Sequence, residues 1–238
     1  MTISPAITIQ NLRKTYGTVE ALKGIDLEIQ PGEIFALLGP NGAGKTTTIE
    51  ILEGHRAPTS GSVSVLGFKP NERAHDFRER IGIVLQETTV DGYLTVRETV
   101  DLFSSYYSRP RNTDEILEIV GLESQRTSLA RRLSGGQKRR LDVAIGLIGN
   151  PEILFLDEPT TGFDPQARRA AWEMVQRLEE LGCTVVLTTH YMEEAEFLAT
   201  RIAIMADGQI IASGTTPELR QKYTGSQISF QVDPRFNS

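Results

Sequence analysis

The segment from Ile34 to Leu52, IFALLGPNGAGKTTTIEIL, restricts the fold more than any other part of the chain. Five apolar residues without a polar interruption read as a strand buried on both faces, as in a parallel sheet covered by helices. The pattern Gly39-x-x-x-x-Gly44-Lys45-Thr46 follows that strand, and the residues after it continue as a helix. Glycines in such a turn let backbone N–H groups converge on an anion, and the helix behind them presents roughly half a positive charge at its N-terminus. Lys45 adds a mobile cation for outer phosphates, and the Thr46 hydroxyl is placed to ligate magnesium. The segment predicts strand, phosphate loop and helix in an α/β protein.

The remaining patterns extend this architecture. Further unbroken apolar runs predict strands at Ile81 to Leu85, Ile153 to Asp157, Thr184 to Thr188 and Ile202 to Met205. The first thirty residues instead alternate apolar with polar in ITIQNLRKTYG and LKGIDLEIQPGE, as half-buried antiparallel strands do. Asp207-Gly208 predicts a hairpin turn. Between Thr95 and Gly149 helix signals dominate: Thr95-x-x-Glu98 is a capping box, and Leu141, Ala144, Ile145 and Ile148 recur at helical spacing. Asp164-Pro165 opens a later helix that closes at Leu181-Gly182. We expect one unit over residues 1–222, with a core from 1–90 and 150–222 and a helical insertion at about 91–149. Residues 223–238 are expected to be a tail in which SQISFQVDPRFNS begins a strand and stops, either the start of a truncated segment or a short natural form.

ILFLDEPTTGFD, from Ile153 to Asp164, places two carboxylates at a strand's end. Neighbouring side chains on a strand point to opposite sides, so Asp157 and Glu158 are expected to differ in role unless the strand has already ended. Asp157 is the candidate to hold magnesium, directly or through water, and Glu158 to polarise an attacking water. Gln86 ends IGIVLQ, where its amide is placed to sense magnesium and water, and His190 ends VVLTTH within reach of a terminal phosphate. Parallel strands deliver their carboxyl ends to one ligand crevice, which brings these residues together. Tyr16 is a candidate for stacking on a nucleotide base.

Composition removes other classes. Of 238 residues, 31 are acidic and 25 basic, and the net charge of −6 argues against duplex nucleic acid as the ligand. The one basic cluster, Arg131, Arg132, Lys138, Arg139 and Arg140, reads as a solvated helix face. A single cysteine, Cys183, excludes an intrachain disulfide and suits a reducing compartment. Nowhere do eighteen apolar residues run together.

A second glycine pair lies in RRLSGGQKRRLDVAIGLIG, where Gly135-Gly136 opens a helix. The order Tyr16, GPNGAGKTT, Gln86, LSGGQ, ILFLDE, TGFD and His190 resembles the ATP-binding cassette family, from Ala6 to about Leu219. The resemblance implies a P-loop, RecA-like core of mostly parallel strands, an N-terminal antiparallel β subdomain and an inserted α-helical subdomain. It implies nucleotide contacts from Tyr16, Gly39, Pro40, Asn41, Gly42, Ala43, Gly44, Lys45, Thr46, Thr47, Ser134, Gly135, Gly136, Gln137 and Asp164. Catalysis would fall to Glu158, His190 and Gln86, and magnesium to Thr46, Gln86 and Asp157. Ser134, Gly135 and Gly136 would grip ATP held by a second copy, and Asp164 would cross the same interface.

The same resemblance implies an ATPase that dimerises around two Mg-ATP, works at the cytoplasmic face of the membrane and drives separate transmembrane subunits. A groove near Glu87 to Thr95, with Tyr93 and Leu94, would receive them. TTHYMEEAE and KRRLDVA are similar to bacterial exporters of drugs, lipids or polysaccharides of the daunorubicin-resistance type. TGFD departs from the more usual Ser-Gly-Leu-Asp at Thr161 and Phe163. A soluble cassette ATPase without a membrane partner, for example in cluster assembly, is the alternative reading of the same motifs.

Overall fold

The computed structural model of the chain describes residues 4–72, 74–85 and 90–223. Its centre is a six-stranded sheet in the order β5-β6-β7-β3-β8-β9. These strands are β3 (Ile34–Leu38), β5 (Ile81–Val84), β6 (Ile153–Asp157), β7 (Thr184–Thr189), β8 (Arg201–Ala206) and β9 (Gln209–Gly214). β5, β6, β7, β3 and β8 are parallel, and β9 returns antiparallel on β8. The return is made by Asp207 and Gly208, both at positive φ, as a two-residue hairpin of the primed type requires. A second, antiparallel sheet has the order β2-β1-β4, from β1 (Ile7–Tyr16), β2 (Val19–Ile29) and β4 (Ser60–Val65).

Side-chain alternation splits the interior in two. Ala36 and Leu38 of β3, Leu154 and Leu156 of β6, and Val185 and Leu187 of β7 join one apolar cluster. Their neighbours Phe35, Leu37, Ile153, Phe155 and Val186 join the other. All five residues of β3 and all six of β7 are buried. That is why these strands read as unbroken apolar runs, whereas β9, exposed at alternate positions, does not.

The second cluster is closed by β1, β2 and α1 (Lys45–Leu52). The first is closed by α3 (Val96–Ser104), α4 (Thr113–Ile119), α5 (Gly135–Leu147), α6 (Pro165–Glu180) and α7 (Met192–Leu198). Two short helices, α2 (His75–Glu79) and α8 (Thr216–Tyr223), complete the described α-helices, beside three single turns of 3-10 helix. Between β5 and β6 every described helix or strand is helical. Leu141, Ala144, Ile145 and Ile148 are buried, as their spacing predicts.

Helix starts follow the expected chemistry. Thr95 and Glu98 form a reciprocal capping box on α3, as do Ser134 and Gln137 on α5. Asp164 caps α6 through Gln166 and Ala167 N–H groups, with Pro165 in the first turn. The same helix ends at Leu181, followed by Gly182 at φ 75°. Trp172 of α6 packs on Phe197 with ring centroids 5.0 Å apart and donates its indole N–H to Glu194 of α7 at 2.9 Å. Thr160 donates to the same Glu194 oxygen at 2.6 Å, which satisfies a carboxylate only 1% exposed.

Candidate functional site

Steric limits make the loop between β3 and α1. A Cβ on Gly39 would stand 2.3 Å from the Met205 carbonyl oxygen. Gly44 sits at φ 101°, and a Cβ there would meet Leu22 at 2.8 Å and the Ala21 carbonyl at 2.9 Å. Gly44 is also the N-cap of α1 and brings no side-chain hydrogen bond, so no side chain caps the first-turn amides. Lys45, 4% exposed, folds back to donate to the carbonyls of Gly39 at 2.8 Å and Pro40 at 3.2 Å.

A cleft of about 490 Å³ opens beside the loop, lined by Tyr16, Ala21, Asn41, Gly42, Gly44, Lys45, Thr46, Thr47, Asp157 and Glu158. Gly39, Pro40 and Ala43 are not among its lining residues. They shape the turn, in which Ala43 N–H donates to Pro40 at 3.2 Å. Tyr16 is 38% exposed, with Lys14 Nζ 5.1 Å and the Arg56 guanidinium 5.5 Å from its ring centre.

Strand β6 ends at Asp157, and Glu158 turns to φ 44°. The strand has therefore ended between the two carboxylates. Both point into one cleft instead of to opposite sides, at a backbone cost of about 1–3 kcal/mol. Thr188 at the end of β7 serves both: its hydroxyl donates to Asp157 Oδ1 and accepts the Glu158 N–H at 3.0 Å. Glu158 Oε2 accepts from Thr161 at 3.0 Å. Its Oε1 lies 3.4 Å from His190 Nδ1 and 3.8 Å from Lys45 Nζ. The structure thus brings together Lys45, Thr46, Asp157, Glu158 and His190 from three strand ends. Gln86 and residues 87–89 of the expected groove lie outside the described residues, as does the tail from 224 onward. Within the rest of that groove Tyr93 is 74% exposed, under the Arg131 guanidinium at 4.5 Å, and Leu94 is half-buried.

The donors around Asp157 suit a small hard cation. Asp157 and Thr46 present a carboxylate and a hydroxyl to one cleft, an oxygen set that magnesium takes in small number while keeping water. Among the described residues no cluster of three His, Cys, Asp or Glu forms a cage of its own.

Ser134, Gly136 and Gln137 line a different cavity, of about 240 Å³, shared with Phe163, Ala167 and Met174. The two cavities have no lining residue in common. The Gln137 side chain is already engaged, accepting the Ser134 N–H at 2.9 Å while Ser134 Oγ accepts the Gln137 N–H at 3.3 Å. Asp164 likewise spends its Oδ1 on the α6 amides.

The basic cluster is not uniformly a solvated face. Arg131, Arg132 and Lys138 are exposed, but Arg139 is 7% exposed. Its guanidinium donates to the carbonyls of Leu85, of Asp157 at 3.0 Å and of Pro159 at 3.2 Å. Burial lowers its pKa against the pull of Asp142, Asp157 and Glu194. A run of charges carries no sign of which member turns inward, so this contact was not legible beforehand. Thr188 reads as an ordinary strand residue for the same reason. Glu53, at the end of α1, is also buried. Desolvation, then the charges of Asp157 and Glu50, push its pKa up to about 8, and His55 Nδ1 stands 3.1 Å from it.

The family described as ABC transporter matches residues 22–161. Nod factor export ATP-binding protein I of Cupriavidus metallidurans is 41% identical over 227 residues, covering 93% of this chain and 75% of that protein. Daunorubicin resistance ATP-binding protein DrrA3 of Streptomyces coeruleorubidus is 42% identical over 229 residues, covering 94% and 72%. Among solved structures, the dimeric post-hydrolysis state of the ATP-binding cassette MJ0796 bound to ADP and Pi superimposes with a TM-score of 0.76. Its sequence is 30% identical, and the match covers 88% of this chain and 98% of that one.

Proposed function

The chain belongs to the ABC transporter family, and from that premise we propose that it is the ATP-binding and hydrolysing subunit of an exporter. Two copies close around two nucleotides and drive separate membrane-spanning subunits. The observation that carries this reading is the division between cavities. Lys45, Thr46, Asp157 and Glu158 line one, and the Ser134 turn at the start of α5 lines another that shares none of them. One chain therefore holds two halves of different sites, and head-to-tail pairing of two copies completes both under two-fold symmetry. The dimeric cassette with ADP and Pi supports the same pairing.

Within each site the residues divide the work of phosphoryl transfer, which needs charge neutralised and a nucleophile held in line. Tyr16 supplies a face for the base, and the residues from Gly39 to Thr47 supply amides, Lys45 and a hydroxyl for the phosphates. Magnesium, held by Thr46 and Asp157 with Gln86 beside it, would neutralise charge on the outer phosphates. Glu158 accepts the proton of the attacking water. His190 has Nδ1 toward Glu158, which leaves Nε2 for the terminal phosphate. From the opposite copy, Ser134, Gly135, Gly136 and Gln137 close over that phosphate, and Asp164 crosses the interface beside them. ATP holds the copies together, and its hydrolysis releases them, because a ligand shifts an equilibrium only by its unequal affinity for the two states.

The stroke is delivered to separate membrane subunits, and no helix among the described residues is long and apolar enough to cross a bilayer. We place the chain at the cytoplasmic membrane face, as one cassette over 1–222 with its helical insertion at about 91–149. The groove near Glu87 to Thr95, with exposed Tyr93 and half-buried Leu94, is the surface offered to the membrane subunits. Relatives are named for Nod factor export and daunorubicin resistance, and the choice of cargo rests with the membrane subunits. Specific ATPase activity measured across a dilution series tests the half-site reading: it should fall as copies dissociate, and a flat profile with monomers verified by light scattering would refute it.

A further inference from the structure

His190 is linked to α6 through the ring of Tyr191. Its ring and that of Tyr191 lie with centroids 4.0 Å apart at 40°. The Arg168 guanidinium covers the Tyr191 ring at 4.4 Å. Among the described residues Arg168 Nε is buried without a hydrogen-bond partner. What the structure gives this cation is therefore an aromatic face, an attraction that strengthens with desolvation. Arg168 stands one helical turn after Asp164, whose carbonyl accepts the Arg168 N–H at 3.0 Å. One further turn along, Trp172 holds Glu194 of α7. At the other end Tyr191 N–H donates to Thr189 Oγ1 at 3.0 Å, which fixes the backbone directly after His190.

Arg168 and Trp172, four residues apart on one face of α6, thus contact Tyr191 and Glu194, one and four residues after His190. We propose that Arg168 and Tyr191 are positioning residues: their stack sets the His190 imidazole against Glu158 and ties that setting to α6, the helix begun by Asp164. The inference rests on the ATPase reading of the site and adds to it a path of direct contacts from Asp164 to the reacting groups. A shift at the start of α6 moves the cation, and with it the ring against which His190 rests. Neither residue donates or accepts a proton in the reaction. Loss of either leaves nucleotide binding at Lys45 and the glycine loop untouched.

The variants Tyr191→Ala, Tyr191→Phe and Arg168→Met separate this role from simple support of the fold. In steady-state hydrolysis of Mg-ATP, Tyr191→Ala should lower kcat about tenfold or more, since small misplacements of a catalytic group are costly, with ATP affinity within about twofold. Tyr191→Phe keeps the ring and should recover most of the rate, and Arg168→Met should lower kcat about threefold to tenfold. Independently of turnover, the His190 ring resonance can be followed by NMR, since the chain has three histidines and His190→Gln identifies the signal. It should move in Tyr191→Ala and Arg168→Met and stay in Tyr191→Phe. An unchanged kcat and an unmoved resonance in Arg168→Met would overturn the proposal, as would Tyr191→Phe being as impaired as Tyr191→Ala. If Tyr191→Ala does not fold, the other two variants decide. If the wild-type protein shows no turnover, the ATPase reading fails while the resonance still decides whether the stack positions His190.

Discussion

Lys45 Nζ and Glu158 Oε1 face each other at 3.8 Å, one from the first turn of α1 and one from a left-handed residue after β6. The proposed cation for the phosphates and the proposed base for the water are thus set by two independent backbone constraints. Glu158→Gln keeps the shape and loses the negative charge. We expect ATP binding within about threefold of wild type and turnover lower by a factor of about 100 or more, the contribution typical of a positioned base. The variant should elute as a dimer with saturating Mg-ATP, and a monomeric elution would contradict the closed arrangement.

Ser134→Ala removes the hydroxyl at the start of α5, and with it a cap of about 1 kcal/mol. ATP affinity of the dilute monomer should be unchanged by calorimetry, because Ser134 lies outside the cleft that holds Lys45. Hydrolysis at high protein concentration should fall at least about tenfold, as for loss of a group that meets the phosphate in the transition state. Equal losses in binding and hydrolysis would place Ser134 in the same half-site as Lys45.

Arg139→Met leaves three carbonyls at the ends of β5 and β6 without their donor. Each charge-assisted hydrogen bond contributes about 1.5–3 kcal/mol, offset by the cost of burying the cation, so we expect a net loss of about 3 kcal/mol by urea unfolding. Arg139→Lys should restore little, since a single ammonium cannot span carbonyls that a planar fork reaches.

Glu53 gives the fold a dependence on pH. Its folded pKa, about 8, lies above the ordinary 4.5, so the buried acid holds its proton where the unfolded chain has lost it. Its contribution is fully present below about pH 4.5 and is lost as pH rises through about 8. Wild-type stability should fall across that window with a slope of about 1 kcal/mol per pH unit relative to Glu53→Gln. Parallel stability curves for the two proteins between pH 5 and 8 would show that Glu53 does not titrate as described. His55→Gln in the same background removes the imidazole that stands 3.1 Å from Glu53.

Much of this was legible in the sequence for local reasons. β3 and β7 are buried on both faces, so apolarity alone marks them, and the caps at Thr95 and Asp164 act within three residues. The loop from Gly39 to Thr46 needs specific residue types at fixed spacing, so its place follows from the pattern. β4, with sequence SGSVSV, is not legible in the sequence because small polar residues on a half-exposed strand resemble a loop. Nor are the roles of Thr188, Arg139 and Glu53, because their partners are distant in sequence. The strand-end turn that brings Glu158 beside Asp157 is a backbone choice that no periodicity reveals.

Trp172 is the only tryptophan in the chain, and its indole is 7% exposed, bound to Glu194 and packed on Phe197. The protein therefore carries an intrinsic fluorophore at the junction of α6 and α7, with no competing emitter of its kind. Emission wavelength and quenching report directly on that junction, so its rearrangement during a catalytic cycle can be timed by stopped-flow on unlabelled material.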